Sequence, residues 1–225
     1  MSILRNLLDA VQTNLISGDA YYIIAKGIFT TIAITIIVWA ITVIFGAGLS
    51  YCMSYEIRVL SILSSSISFV LRSTPVLLFL LLMYYVVFQS VNLNLILLSG
   101  TTIGLYGAGH FSEMLARQVK RASKDQEEPL IKRLRHVYFT VTLPQMVEDT
   151  AFMTKRLLIQ LFQWTTVVGY ITVNDLTEVM NRIGQRTMYP FFSIAVCILF
   201  YLLGTIVIEV IFQFIEKRII KKLDS

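Results

Sequence analysis

The feature that most constrains this chain is a series of apolar runs, at roughly 24–51, 75–93, 96–119, 148–173 and 188–213, separated by connections that hold most of its charge. Each run approaches the ~20 residues a helix needs to cross a hydrocarbon layer of ~30 Å. A helix satisfies its own backbone hydrogen bonds in lipid, so the expectation is an all-α, polytopic membrane protein of about five spans. Composition agrees: 56% of the residues are hydrophobic and 15% charged, against roughly 25% charged in an ordinary soluble domain. The fourth run is the weakest, because Glu148, Asp149, Lys155, Arg156, Gln160 and Gln163 fall inside it, and a four-span reading stays open. No small-residue cleavage site follows the first run, which reads as an uncleaved anchor.

Positive charge orients the bundle. Arg58 and Arg72 lie in one connection, Arg117, Lys120, Arg121, Lys124, Lys132, Arg133 and Arg135 in the next, and Lys217, Arg218, Lys221 and Lys222 in the tail. Basic connections stay on the cytoplasmic side, so these three segments are expected there. Arg5, Lys26, Arg182 and Arg186 are left for the other side. An odd number of spans then puts the N-terminus outside and the tail inside. The whole chain reads as one transmembrane domain, with 1–23 extracytoplasmic, 120–147 a cytoplasmic loop and 214–225 a cytoplasmic tail. The connection 54–73 is too polar for a confident span. Its Val59, Ile62, Leu63, Ile67, Val70 and Leu71 fall at helical spacing, as in an amphipathic segment at the inner interface; an ordinary span is the alternative.

The net charge of +5 does not point to nucleic acid, because no Lys/Arg stripe is interleaved with aromatics; membrane lipid accounts for it. Cys52 and Cys197 are single and distant, with no CxxC or His-rich spacing, so they read as packing residues and no metal site is expected. The loop of about 28 residues between the third and fourth runs exceeds what a hairpin needs. It mixes Leu130, Ile131, Leu134, Val137, Tyr138 and Phe139 with its charges, a pattern of short helices able to dock on a partner; a solvated loop touching anionic lipid is the alternative.

Three stretches carry a resemblance. The run at 126–145, with Gln126, Glu128 and then Leu143-Pro144-Gln145, resembles the cytoplasmic loop of membrane subunits of ATP-binding cassette (ABC) importers, whose pattern is roughly E-A-A, a Gly, then L-P. "RSTPVLLFLLLMYY" at 72–85 is similar to the R-G-T-P-L-L opening of the second span in the polar amino acid permeases of that superfamily, with Ser73 in place of their glycine. "TTVVGYITVNDLTEVMNRIGQRTMYPFF" at 165–192 is similar, without a gap, to their T-S-L-V-S-V-I-G-V-x-D-L-T…R-T-x-x-P-F segment. The resemblance spans about 24–220 and implies the five-span permease fold of an importer for polar amino acids in a bacterial cytoplasmic membrane. Implied partners are ABC ATPase subunits, a second permease and an extracytoplasmic substrate-binding protein. Gln126, Glu128, Arg133, Leu143 and Pro144 are the implied ATPase-coupling residues. The chain contains no G-x-x-x-x-G-K-[ST] run to cradle nucleotide phosphates. It is therefore expected to bind no cofactor and to do no covalent chemistry, with ATP on the partner chain. The loop departs from the family pattern: Pro129 and Leu130 stand where alanines are usual, and its glycine is missing. A permease-derived scaffold that binds a non-ATPase partner is the rival reading.

Ionisable residues inside a membrane mark a pathway by default, which singles out Glu113, Lys155, Arg156 and Glu209. Lys155 and Arg156 stand where the family commonly has Gly-Asn, and two cations there suit a substrate carboxylate; an ion pair with Glu113 or Glu209 is equally economical. Glu113 falls on a common glutamate of the family, as an inner gate or as the i,i+4 partner of Arg117. Thr165 and Thr166 match the family's hydroxyl pair and are candidates to line the pathway, with back-bonding to the helix as the alternative. His110 reads as a satisfied packing residue. Gly46 and Gly48 read as permitting close helix approach.

Overall fold

The computed structural model describes residues 11–54, 57–89, 91, 93–122 and 151–223, with the side chains of Ser17, 120–122, 151–152 and 216–223 left aside. Seven α-helices are formed among the described residues: α1 (Ala20–Met53), α2 (Arg58–Ser73), α3 (Val76–Leu82), α4 (Leu95–Ala122), α5 (Ala151–Trp164), α6 (Leu176–Thr187) and α7 (Pro190–Leu223). A π-turn, Met83–Val87, extends α3, and a 3-10 segment, Thr165–Ile171, extends α5. Among the described residues there is no strand.

Helices occupy all five places where the apolar runs predict spans. Among the described residues two helices, Ala20–Met53 and Pro190–Ile215, are long and apolar enough to cross a membrane by themselves, and α2 with α3 and its π-turn makes a third only as a bent pair. α4 and α5 fall short of that measure for a physical reason. α4 has a charge-free stretch at 95–112, but its glycines, Ser99, Thr101, Thr102 and His110 dilute the apolar side chains there, and α5, at 14 residues, is too short.

Packing follows membrane rules. Phe29, Ile36, Ile44, Ile198, Phe214 and many other large apolar side chains are exposed, whereas Thr31, Thr42, Ser50, Ser68, Ser99, Thr102 and Ser112 are buried. Lipid competes for apolar side chains as well as a neighbouring helix does, so small and hydroxylated residues gather between helices. The main pair is α1 against α4. Gly100 and Gly104 of α4 lie under Ile37 and Ile41 of α1, where an added Cβ would come to 2.5 Å and 2.7 Å from the isoleucine side chains. The Thr42 hydroxyl donates to the Gly104 carbonyl at 3.1 Å. Gly46 packs on Phe111 and Ala108, but Gly48 has nothing within 4 Å, so the expected pair of packing glycines is a single one.

α2 is amphipathic, as the spacing in 54–73 predicts: Val59, Ile62, Leu63, Ile67 and Val70 face outward, while Ser64 and Ser68 are buried. The Ser68 hydroxyl donates to the Gly109 carbonyl at 2.9 Å and meets the Ser112 hydroxyl at 2.9 Å. The helix therefore docks on α4 by its polar side. Pro75 imposes an extended Thr74 (φ −84°, ψ 136°), as the residue before a proline prefers, and α2 and α3 meet at 106°.

At the start of α1, Gly18 and Asp19 take positive φ (64° and 56°). The turn before them buries Asn14, whose Oδ1 accepts from Thr187 at 2.7 Å and from Ser193 at 3.2 Å. This pins the first described residues to the α6–α7 corner.

Candidate functional site

α6 organises the site, and its sequence explains where it starts and how it faces. Asp175 is the N-cap, its carboxylate accepting from the backbone N–H of Thr177 and of Glu178 at 3.1 Å each. Leu176, Val179, Met180 and Ile183, at i, i+3, i+4 and i+7, are buried against α1 and α7. The Leu176 N–H donates to the Thr31 hydroxyl of α1 at 3.0 Å, which fixes the head of α6 on the anchor helix. Asp175 is fully buried. Burial pushes its carboxyl above the ordinary range, against the downward pull of the two capping N–H groups.

The opposite side of α6 faces an open cavity of about 1040 Å³ between the 3-10 segment and α7. Gln163, Thr166 and Tyr170 line one wall, Thr177, Glu178 and Asn181 the next, and Cys197, Tyr201 and Thr205 the third. The Thr177 and Tyr201 hydroxyls lie 3.1 Å apart and join α6 to α7. Glu178 accepts from Arg182 Nε at 2.7 Å. Hydroxyls, amides and one ion-paired carboxylate among apolar side chains can orient a small amphiphilic solute by hydrogen bonds. Among the described residues no cluster of three or more His, Cys, Asp or Glu comes together, so none is positioned to hold a metal ion.

The candidates named from sequence fare unequally. Thr165 and Thr166 diverge: Thr165 is fully buried, its hydroxyl donating to the Phe162 carbonyl at 2.7 Å, while Thr166 lines the cavity. Glu113 lies elsewhere, in a cluster where one carboxylate oxygen pairs with Arg117 at 2.6 Å and the other with Arg72 of α2 at 2.7 Å. Both oxygens face those arginines rather than the Lys155 and Arg156 of the sequence alternative. On α5, Lys155 is half-buried and Arg156 exposed, and neither lines the cavity. Glu209 is exposed on α7. His110 packs between the Tyr106 and Trp164 rings, at centroid distances of 5.2 Å and 5.5 Å, but its Nε2 meets no hydrogen-bond partner among the described residues; it packs without being satisfied. Cys52 and Cys197 are free thiols, half-buried and buried. Gln126, Glu128, Arg133, Leu143 and Pro144 lie outside the described residues.

Thr177, Asn181 and Tyr201 were not among the sequence candidates. The signal for the first two was present, since Asp175 followed three residues later by Glu178 is a helix-start signature. It makes 176–187 a separate amphipathic helix with a polar side that needs an occupant.

Helices with hydroxyls inside, isoleucines outside and an open cavity between the last of them, where hydroxyls and amides sit among apolar side chains, have the build of a membrane transport subunit. The chain belongs to the family of binding-protein-dependent transport system inner membrane components, which matches residues 45–221. Among solved structures it is similar to an amino acid ABC transporter crystallised with histidines: 18% identity, TM-score 0.76, 89% of this chain and 95% of that one covered. It is also similar to the MetNI methionine ABC transporter in an inward-facing conformation, at 14% identity and TM-score 0.71, covering 91% of this chain and 99% of the other. None of the curated proteins matches the chain in sequence.

Proposed function

We propose that this chain is the permease subunit of an ABC importer for polar amino acids and that the cavity bounded by Thr166, Thr177, Asn181 and Tyr201 belongs to its translocation path. The observation that carries the reading is the cavity itself: hydrogen-bonding groups from three elements converge on one space inside a membrane, where each such group is costly unless it has a partner. The two similar structures, an amino acid transporter and a methionine transporter, support the substrate class.

Power comes from ATP bound on separate ATPase subunits that dock on the loop around Gln126, Glu128, Arg133, Leu143 and Pro144. A binding protein delivers substrate from outside. A second permease, identical or similar, completes the pathway, and α7 has the surface for it, since only 6% of its most apolar window is buried within this chain. The charge asymmetry supports a bacterial cytoplasmic membrane location with the N-terminus outside and the tail inside. Lys155 and Arg156, beyond the cavity on the same helix, are secondary candidates for meeting a carboxylate.

The test is co-purification in detergent with a candidate ATPase, using Glu128→Ala with Arg133→Ala as control. The wild type is expected to retain the ATPase and the variant to lose it. A wild type that holds no ATPase but captures another protein replaces this reading with that of a permease-derived scaffold.

A further inference from the structure

Charge on the expected outer side of this protein is sparse, and the fold does not scatter it. Of the four cations assigned there from sequence, Lys26, Arg182 and Arg186 line one cavity of about 320 Å³ between the head of α1 and α6. The fourth, Arg5, lies outside the described residues. Tyr22 and Asn174 add a ring and an amide, and the described lining contains no carboxylate. Arg182 Nε, in turn, donates to Glu178 of the neighbouring cavity at 2.7 Å. Gly18 gives the Arg186 guanidinium its place: at φ 64° and without a side chain, it leaves open a position that a Cβ would occupy only 3.2 Å from Nη1.

Below this cavity α1 presents an apolar stripe. Lys26 is followed on the same side by Phe29 and Ile36, which are 73% and 64% exposed, at the i+3 and i+10 spacing of one helix face. Tyr21 and Tyr22, both exposed at the helix head, fit the aromatic belt of a membrane interface. Cations clustered on one side of a membrane that otherwise excludes them, above a stripe open to hydrocarbon, match an amphiphile with an anionic head. They do not match a soluble anion, which has no use for the stripe.

We propose that this cavity is a binding site for the phosphodiester headgroup of an anionic phospholipid, with Lys26 and Arg186 as its principal ligands and the acyl chain lying along Phe29 and Ile36. The inference depends on membrane embedding and on this cavity, and is independent of what the permease carries. Held there, the lipid bridges α1 and α6, the two elements joined by Leu176 and Thr31, and so stiffens the wall behind the larger cavity.

The experiment titrates the full-length protein, purified in a neutral detergent, with phosphatidylglycerol, phosphatidylcholine or inorganic phosphate, and follows bound lipid by native mass spectrometry alongside the melting temperature. Phosphatidylglycerol is expected to bind and raise the melting temperature, with phosphatidylcholine and inorganic phosphate doing neither. At about 5-fold for each charge removed, Lys26→Gln with Arg186→Gln weakens that binding ~25-fold. Lys26→Arg, which keeps the charge, retains it and serves as the folding control. Equal binding of phosphatidylglycerol to the wild type and the double variant overturns the site. An equal response to inorganic phosphate overturns the lipid assignment. So does a double variant that binds lipid normally but loses an acidic binding protein, which would make the cavity a protein-docking site.

Discussion

Arg72 Nη1 lies 2.7 Å from Glu113 Oε2 and ties α2 to α4 across 41 positions of sequence, while the other oxygen of the same carboxylate holds Arg117. One carboxylate thus serves two guanidinium groups, and the Arg72 Nε, buried, already lacks a partner among the described residues. Side-chain exposures of 32% and 24% for Arg72 and Glu113 put the pair between a surface bridge and a fully buried one. Glu113→Gln is expected to destabilise by about 1–2 kcal/mol, between the ranges for those two cases. A double-mutant cycle with Arg72→Met, read from thermal unfolding in detergent by the fluorescence of Trp39 and Trp164, measures the coupling. Additive effects of the two substitutions would show that the contact does not hold α2 in place.

The glycines of the α1–α4 contact give an opposed pair of outcomes. Gly104→Ala drives a methyl to 2.7 Å from Ile41, with the Val38 carbonyl at 3.1 Å, and should cost about 1–3 kcal/mol, as overpacking does. Gly48→Ala has nothing within 4 Å to meet and should change stability by no more than ~1 kcal/mol, toward greater stability. The same fluorescence melt decides, and a Gly48→Ala loss as large as that of Gly104→Ala would mean that another surface covers Gly48.

Asp175 makes a pH-dependent prediction. Burial raises its carboxyl above the ordinary range, so the folded protein holds that proton more tightly than the unfolded chain. Such a group favours the fold below its unfolded pKa, and the contribution is lost as pH rises through the folded value. Asp175→Asn keeps an acceptor for one capping N–H without the buried charge. Its stability relative to wild type should therefore improve as pH rises above about 4, the ordinary carboxylate value, and through the raised folded value. Asp175→Ala, with no cap, should be ~1 kcal/mol less stable than Asp175→Asn near neutrality. Melting curves of the three proteins across that range check the order, and a wild type that gains on the asparagine variant as pH rises would reverse the sign.

For the proposed pathway, Thr166→Val with Asn181→Leu keeps much of the cavity's volume and removes hydrogen-bonding groups on two walls. Uptake of the carried amino acid should fall about 10-fold or more, the equivalent of one to two lost hydrogen bonds, with ATPase assembly unchanged. Lys155→Met with Arg156→Met, which lie off the cavity, makes the comparison. If only the cation pair abolishes uptake, the path runs past α5 instead.

Sequence by itself determined where the helices lie and that they lie in a membrane. A helix in lipid must satisfy its backbone within itself, so its ends can be read from apolar length, from Pro75 and from Asp175, all of them local features. The Glu113–Arg117 pair was legible for the same reason, since i,i+4 neighbours meet on any helix. Tertiary structure alone decided which faces turn inward. In water an apolar stripe marks the buried side, but lipid is as apolar as a neighbouring helix, so the stripe of α2 points outward and its serines inward. Only packing separated Thr165 from Thr166, brought Arg72 to Glu113, and collected Lys26, Arg182 and Arg186 around one space. Those relationships join residues far apart in the chain, and each depends on the close approach of helices that no local pattern encodes.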